Sequence, residues 1–495
     1  MSAVVGREQD VVVVGSGPNG LAAAVTLARA GLQVLVLEAE QTVGGGARTL
    51  DLGMAAGIRH DICSAVHPMA LASPFFTAFD LEARGVELLT PEASYAQPLD
   101  AEPAAIAWRD VERTADGLGA DAPVWRRVFS MLSAQHEAII DVALSDKRSV
   151  PSALLSPAAL PALAAFGAMS GLQGTPAWGV PLRTERARAL LTGVAAHAIG
   201  ALPSLAPSAT GMLLATLAHA GGWPIPRGGS QAITDALAAD LRAHGGRIIT
   251  GYRVRSAADV PPAPAVLADL PADTAAELLA ERIPPPLHRS LRSLGHGHAA
   301  AKADFVVNAP IPWRDAEVRR AGTAHLGGTR RQMADAEAQV MAGRVPEAPV
   351  VLVSDPAGVD PSREVDGLRP VWAYAHVPFN DPTDPTDLIT AQIERFAPGF
   401  RDTIVAARGI PAARMHEHNA SLVGGDIALG ALSAWRMMAR PTAAWDPFRL
   451  GASGWYLCSS ATPPAPGVHG MSGWHAARRV LQQVFGVRHL PSLAG

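Results

Sequence analysis

Residues 10–38 run strand, glycine turn, helix, strand, and no other stretch of the chain restricts its fold as strongly. Val11, Val12, Val13 and Val14 are an all-apolar β-branched run, the composition of a parallel strand buried on both faces. Gly15, Gly17 and Gly20 follow with G-x-G-x-x-G spacing, and Pro18 and Asn19 lie inside it. In such a turn the first glycine permits the sharp bend, the second lets a pyrophosphate approach the backbone, and the third lets the helix lie close on the strand. Residues 21–30 supply a small-residue helix whose free N–H groups and dipole face an anion, and Gly31 ends it. Residues 34–37 read as the second strand. Glu38 at its end is placed to accept hydrogen bonds from both ribose hydroxyls of an adenosine, and a carboxylate there disfavours a 2′-phosphate.

A second glycine turn, Gly44, Gly45, Gly46, Ala47 and Arg48, distinguishes among dinucleotides. A glycine pair soon after the ribose acid, with a basic residue beside it, resembles the extension that many FAD enzymes set against the pyrophosphate and ribityl chain. Gly45, Gly46 and Arg48 therefore join the expected FAD contacts. Residues 223–254 read as a helix capped by Ser230, with Ile233, Leu237 and Leu241 on its apolar face, then Gly245 and Gly246, then a strand over 247–254. In two-domain flavoproteins such a unit returns the chain to the nucleotide domain, with Val254 against the adenine. At the C-terminal end a strand over 455–458 leads through a proline-rich loop to Gly467, Val468, His469, Gly470 and Met471, which open a helix. This is a second anion-ready helix N-terminus. In flavoproteins that end faces the flavin pyrimidine and stabilises negative charge on the reduced ring.

The remaining segments predict a second domain. Residues 120–222 are helical by composition with Pro and Gly breaks. Strands over 303–308, 323–326, 350–354 and 371–376 predict one antiparallel sheet, with helices over 389–396 and 402–407. A helix is expected over 75–83, strands over 86–89 and 105–108, and a hairpin remnant, a strand at 265–267 and a surface helix over 274–282 between 257 and 300. His296 and His298 read as solvent-exposed, and His416 and His418 as facing one side of a strand. His60, Asp61 and His67 match no standard ligand spacing, so no metal is expected. The expected architecture is α/β: a discontinuous FAD-binding domain from residues 1–85, 223–301 and 445–495, and an α+β substrate domain from 86–222 and 302–444, with 151–222 as a helical cap.

Composition narrows the partners. A formal charge of −4 gives no reason to expect nucleic acid, and no Lys/Arg cluster marks a polybasic anchor. Cys63 and Cys458 are too few for a disulfide framework and suit a reducing cytoplasm. Residues 189–226 carry no charge if His is neutral, but Pro203 and Pro207 divide them into pieces shorter than the roughly 20 residues a spanning helix needs. Buried helices are expected, with peripheral membrane contact left open.

Taken together, GSGPNGL, Glu38, GGGAR, the RGGS helix, the Lys302 strand and YLCSSATPPAPGVHG resemble the phytoene desaturase superfamily of FAD oxidoreductases. Within it they resemble the phytoene dehydrogenase-related branch, which includes proteins like pyridine nucleotide-disulfide oxidoreductase domain protein 2. The resemblance covers nearly the whole chain and implies hydride removal from an apolar, often polyunsaturated substrate, with an unassigned electron acceptor. Two positions depart from the pattern. Thr462 to Gly467 replaces a threonine-histidine-proline-glycine loop, and Gly46 stands where an arginine usually follows the paired glycines, with Arg48 two positions on. His469 is the candidate to take a proton from the substrate. A redox-neutral flavin isomerase of a polyene and a flavin-containing binding or assembly protein are the alternative functions.

Overall fold

The valine run becomes the middle strand of a sheet that needs cover on both sides. In the computed structural model, which describes residues 8–494, five parallel strands lie in the order Trp455–Leu457, Ala265–Ala268, Val11–Val14, Val34–Leu37, Arg247–Ile249. Side chains alternate across a strand. Val11 and Val13 therefore face Leu21 and Val25 of helix Pro18–Arg29, Ile233 and Leu237 of Gln231–Ala243, and Val480 of Met471–Gln483. Val12 and Val14 face the opposite layer, with Ala272 and Ala275 of Ala272–Leu278 and Leu291 of Pro285–Arg292. Three distant chain segments thus build one doubly covered sheet. Its ligand position follows from topology: chain order reverses at Val11–Val14, and open α/β sheets bind at the carboxyl ends of strands beside such a reversal.

The second sheet has seven strands in the order Ile404–Ile410, Ala299–Val307, Arg369–Val377, Val351–Ser354, Ala321–Leu326, Ala93–Gln97, Ala105–Trp108. Neighbours are antiparallel except Ala321–Leu326 and Ala93–Gln97, which run parallel, so the sheet is mixed where a purely antiparallel one was expected. One face, including Ala303, Phe305, Val353 and Ala373, is apolar core. The other carries Lys302, Asp304, His325, Trp372, Tyr374 and His376 and turns toward the site described below. Helices Ala122–Ala134, Leu160–Gln173, Glu185–Ala195 and Leu205–Ala220 form a separate core around Tyr95, Trp125 and Trp223.

Several local expectations are corrected. Residues 402–407 are not a helix: only Phe400–Thr403 is helical, and Ile404–Ile410 is an edge strand whose pairing with Ala299–Val307 overrides the helix propensity of its alanines. The strand after Gly246 stops at Ile249, because Gly251 turns with φ 69° and Tyr252 N–H then donates to Glu38 O at 2.8 Å. Residues 75–83 are split: the helix Pro74–Phe79 ends where Asp80 adopts left-handed φ 58°, and Glu82–Arg84 is a separate 3₁₀ turn. In place of a hairpin remnant, Ser256 and Asp259 form a capping box around the turn Ala257–Asp259. Ser230 does not cap its helix; its hydroxyl donates instead to Ser64 O at 2.6 Å. His296 is half-buried between Asp273 (2.9 Å) and Asp426 (3.5 Å), and His416 lies in the 3₁₀ turn Ala412–Glu417, not on a strand. Among the described residues no helix is long and apolar enough to cross a membrane.

Candidate functional site

One cavity of about 910 Å³ runs from the first glycine turn to the second sheet and the helical layer above it. At its nucleotide end Gly15 has φ 98°, and a Cβ there would lie 2.9 Å from Asp269 O. A Cβ on Gly20 would lie 2.4 Å from Gly15 O, the close helix approach that the third glycine permits. Gly15, Gly17, Pro18 and Asn19 line the cavity, whereas Gly20 supports the turn from behind. The second glycine turn touches the first, since a Cβ on Gly45 would sit 2.9 Å from Gly17 Cα. Gly45, Gly46 and Arg48 line the cavity beside it.

Glu38 is 7% exposed and also lines the cavity. Its Oε2 accepts from Ser16 N–H at 2.9 Å and from the Ser16 hydroxyl, and its Oε1 accepts from Glu40 N–H at 2.8 Å. A carboxylate offers about four lone-pair sites, so Glu38 retains roughly one for a ligand. Val254 borders the same end, just past the turn that hydrogen-bonds to Glu38. Arg48 is almost fully buried; its Nε donates to Gly45 O at 2.9 Å and its Nη2 to His418 O. The guanidinium therefore ties the glycine turn to the 412–425 segment while flanking the cavity.

Asp269 is the nucleotide-end residue that sequence reasoning missed. It follows Ala265–Ala268, and its Oδ2 accepts from Gly20 N–H at 3.0 Å. Burial, reinforced by the charge of Glu38, pushes its carboxyl up to about 7. The signal existed only in the sheet order, which sets Ala265–Ala268 directly beside Val11–Val14.

At the other helix N-terminus, Gly467, Val468 and His469 line the cavity, and Gly470 and Met471 lie buried behind them. A Cβ on Gly473 would be 1.8 Å from Asn19 O, so helices Pro18–Arg29 and Met471–Gln483 cross backbone against backbone. Both N-termini thereby converge on one region. His469 donates from Nε2 to Ala465 O at 2.9 Å, and its Nδ1 accepts from Met471 N–H at 3.0 Å. Burial lowers it to about 4. With both nitrogens engaged, His469 holds the loop and presents no free base to a substrate.

The far half of the cavity is built by register. His325, Leu352, Tyr374 and Lys302 are consecutive partners in one row across four strands, and Leu352, Tyr374 and Lys302 line the cavity with Trp372 and Thr323. Lys302 is 1% exposed and ion-paired with Asp304, which lies 3.4 Å from His60. Desolvation opposes the Asp304 charge, but Lys302 and His60 hold the carboxyl below its ordinary range. The sequence carried this signal: Lys302 and Asp304 stand two apart in an otherwise apolar strand, hence on one face. Above the sheet, Ile139, Leu163, Phe166, Leu213 and Leu214 form an apolar wall. Cys63 also borders the cavity, and burial pushes its thiol up to about 11, which leaves it protonated. Among the described residues no group of His, Cys, Asp and Glu could hold a metal ion. His60, His67 and Asp61 instead serve buried contacts, Asp61 with Arg363 at 3.0 Å and His67 with Ser230 at 2.8 Å.

Residues 13–76 match the NAD(P)-binding Rossmann-like domain. Over 96% of its length the chain is 24% identical to the Rattus norvegicus protein named pyridine nucleotide-disulfide oxidoreductase domain-containing protein 2, of which it covers 94%. Among solved structures, an oxidoreductase from Methanosarcina mazei superposes with TM-score 0.59 at 16% identity, covering 96% of this chain and 100% of that one. A putrescine oxidase variant superposes with TM-score 0.60 at 15% identity, covering 97% and 99%. The chain thus has the two-domain fold of these solved oxidoreductases, a Rossmann-like parallel sheet joined to a second, largely antiparallel sheet.

Proposed function

We propose that the chain is an FAD-dependent oxidoreductase, a dehydrogenase or desaturase, that removes hydride from a largely apolar substrate. The observation that carries this reading is the single cavity joining both glycine turns and both converging helix N-termini to an aromatic floor and an aliphatic wall. The residues fit FAD. Glu38 would hold the adenosine ribose and Val254 would flank the adenine. Gly15 and Gly17, with the N-terminus of Pro18–Arg29, would face the pyrophosphate. Gly45, Gly46 and Arg48 would border the ribityl chain, and Gly467 to His469 with the N-terminus of Met471–Gln483 would face the pyrimidine. FAD, when bound, supplies the hydride acceptor.

The chain supplies orientation and exclusion of water. Trp372, Tyr374 and Leu352 give the floor, and the wall around Leu213 and Leu214 closes over it. A mostly apolar site binds by buried area, about 25 cal/mol per Å² before ordering costs. The Lys302–Asp304 pair brings a fixed dipole to one end of the floor without a net charge. The narrower assignment to the phytoene dehydrogenase-related branch belongs to this proposal, and the name of the rat relative supports it. The test is anaerobic titration of the purified protein with a panel of apolar polyenes and saturated analogues, following flavin absorbance and product oxidation state. Bleaching with formation of a more unsaturated product supports the proposal. Turnover without a change in oxidation state would assign an isomerase, and a flavin that no substrate reduces would assign a structural one.

A further inference from the structure

His197 stands at the end of helix Glu185–Ala195, in the cavity wall, and the established contacts of the site give it no task. Its Nε2 lies 2.8 Å from His325 Nε2, and the two rings meet edge to face at 90°. Trp223 packs edge-on against the same imidazole, with its indole N–H already donated to Leu214 O at 3.1 Å. His197 Nδ1 is different. Among the described residues it has no hydrogen-bond partner, and it is not among the polar atoms sealed inside the protein. The surface His197 leaves uncovered is cavity wall.

The proton arrangement follows from what surrounds His325. Burial drives both imidazoles toward the neutral form, His197 down to about 3 and His325 well below its ordinary value. A neutral pair shares one proton across its Nε2 atoms. If His197 donated, His325 would carry its hydrogen on Nδ1, which is buried without an acceptor. Orphaned buried N–H groups are rarer than orphaned lone pairs. His325 therefore donates, His197 accepts, and the remaining hydrogen of His197 sits on Nδ1, facing the cavity.

We propose that His197 is a specificity-determining residue whose Nδ1–H donates to an oxygen acceptor on an otherwise apolar substrate, with His325 fixing the tautomer. His325 lies in the same row as Lys302, three strand spacings or roughly 14 Å along the sheet, so the His197 donor stands at the opposite end of this row from the Lys302–Asp304 pair. The inference rests on the reading of this half of the cavity as the substrate site. A pure hydrocarbon would leave the His197 donor unmet once water is expelled, and the substrate class is therefore an extended apolar molecule carrying one carbonyl, carboxylate or hydroxyl oxygen. Its proton stays on His197 throughout, so no base is assigned to it.

The test is displacement of Nile red from the purified holoprotein by 2-nonanone and by its isostere 2-methyl-1-nonene, in which a methylene replaces the carbonyl oxygen. The ratio of the two affinities isolates the hydrogen bond from hydrophobicity. It should fall about three- to tenfold toward the alkene in His197→Phe and recover in His197→Asn, which keeps an N–H donor. An equal ratio in wild type and His197→Phe overturns the inference, as does a His197→Asn variant that behaves like His197→Phe. Flavin content and melting temperature are recorded on each sample, so absent flavin, which contradicts the FAD reading, is distinguished from an unchanged ratio, which contradicts this one.

Discussion

The two ends of the cavity are held by different means. At the nucleotide end the backbone itself makes the site: Gly15, Gly17, Gly20, Gly45 and Gly473 each stand where a Cβ would collide with main chain or with Asp269. At the substrate end, side chains presented by four paired strands make it, through the row His325, Leu352, Tyr374 and Lys302. The first kind of site tolerates no added atom. The second can change its chemistry one residue at a time without disturbing the sheet, which is how one fold can serve different substrates.

The most drastic way to break this contrast is Gly473→Ala. Its Cβ would lie 1.8 Å from Asn19 O, backbone that no rotamer change can move aside. Overpacking ordinarily costs about 1–3 kcal/mol, and this contact exceeds that range. Thermal unfolding should show a melting temperature lowered by about 3–5 °C, the shift that several kcal/mol produces in a chain of this length, together with loss of flavin. A stable, flavin-loaded variant would mean that the two helices can part.

Glu38→Ala tests the nucleotide end without adding bulk. It removes charge-assisted hydrogen bonds worth roughly 1.5–3 kcal/mol, and the FAD dissociation constant should rise about ten- to a hundredfold while the melting temperature of the apoprotein stays near wild type. Unchanged affinity would show that another group carries the ribose.

Leu214→Lys carries the comparison to the opposite end. Leu214 is 8% exposed and lines the cavity from the helical wall. Introducing an ammonium should slow flavin reduction by an apolar substrate by about tenfold and leave flavin content intact. Loss of fold and flavin together would make this wall ordinary core.

The smallest effect sharpens the boundary between the two ends. Because Asp269 sits at about 7, it is mostly neutral at pH 6 and mostly ionised at pH 8, beside the helix N-terminus that would face the pyrophosphate. A bound pyrophosphate raises that value further, and by linkage FAD affinity must then fall as pH rises through 7. A fall of about three- to tenfold between pH 6 and 8 is expected in wild type, and Asp269→Asn should flatten it. A slope that persists in Asp269→Asn belongs to another group.

The same contrast accounts for what the sequence made legible. Gly15, Gly17, Glu38, Gly45 and Gly467 line the cavity through turns that the local sequence spells out, and the parallel sheet followed from the valine run and its alternation. Asp269 and His197 could not, since their places depend on distant segments lying side by side: Asp269 follows the strand paired with Val11–Val14, and His197 meets His325 across 128 residues. Residues 404–407 differ from expectation for a related reason: alanine-rich local propensity favours helix, and only pairing with Ala299–Val307 makes them strand. His469 looked like a free base because nothing local in the sequence shows that Ala465 O and Met471 N–H occupy both of its nitrogens.

The central claim is that the backbone-built end of the cavity holds one FAD without a covalent bond. Its most direct test is to purify the protein, record its flavin spectrum, precipitate it with acid, and quantify FAD in the supernatant against protein. The purified protein should be yellow and release about one FAD per chain into the supernatant, leaving a colourless pellet. Folded protein that is colourless and takes up no added FAD would contradict the nucleotide site, and flavin retained in the pellet would contradict its non-covalent attachment.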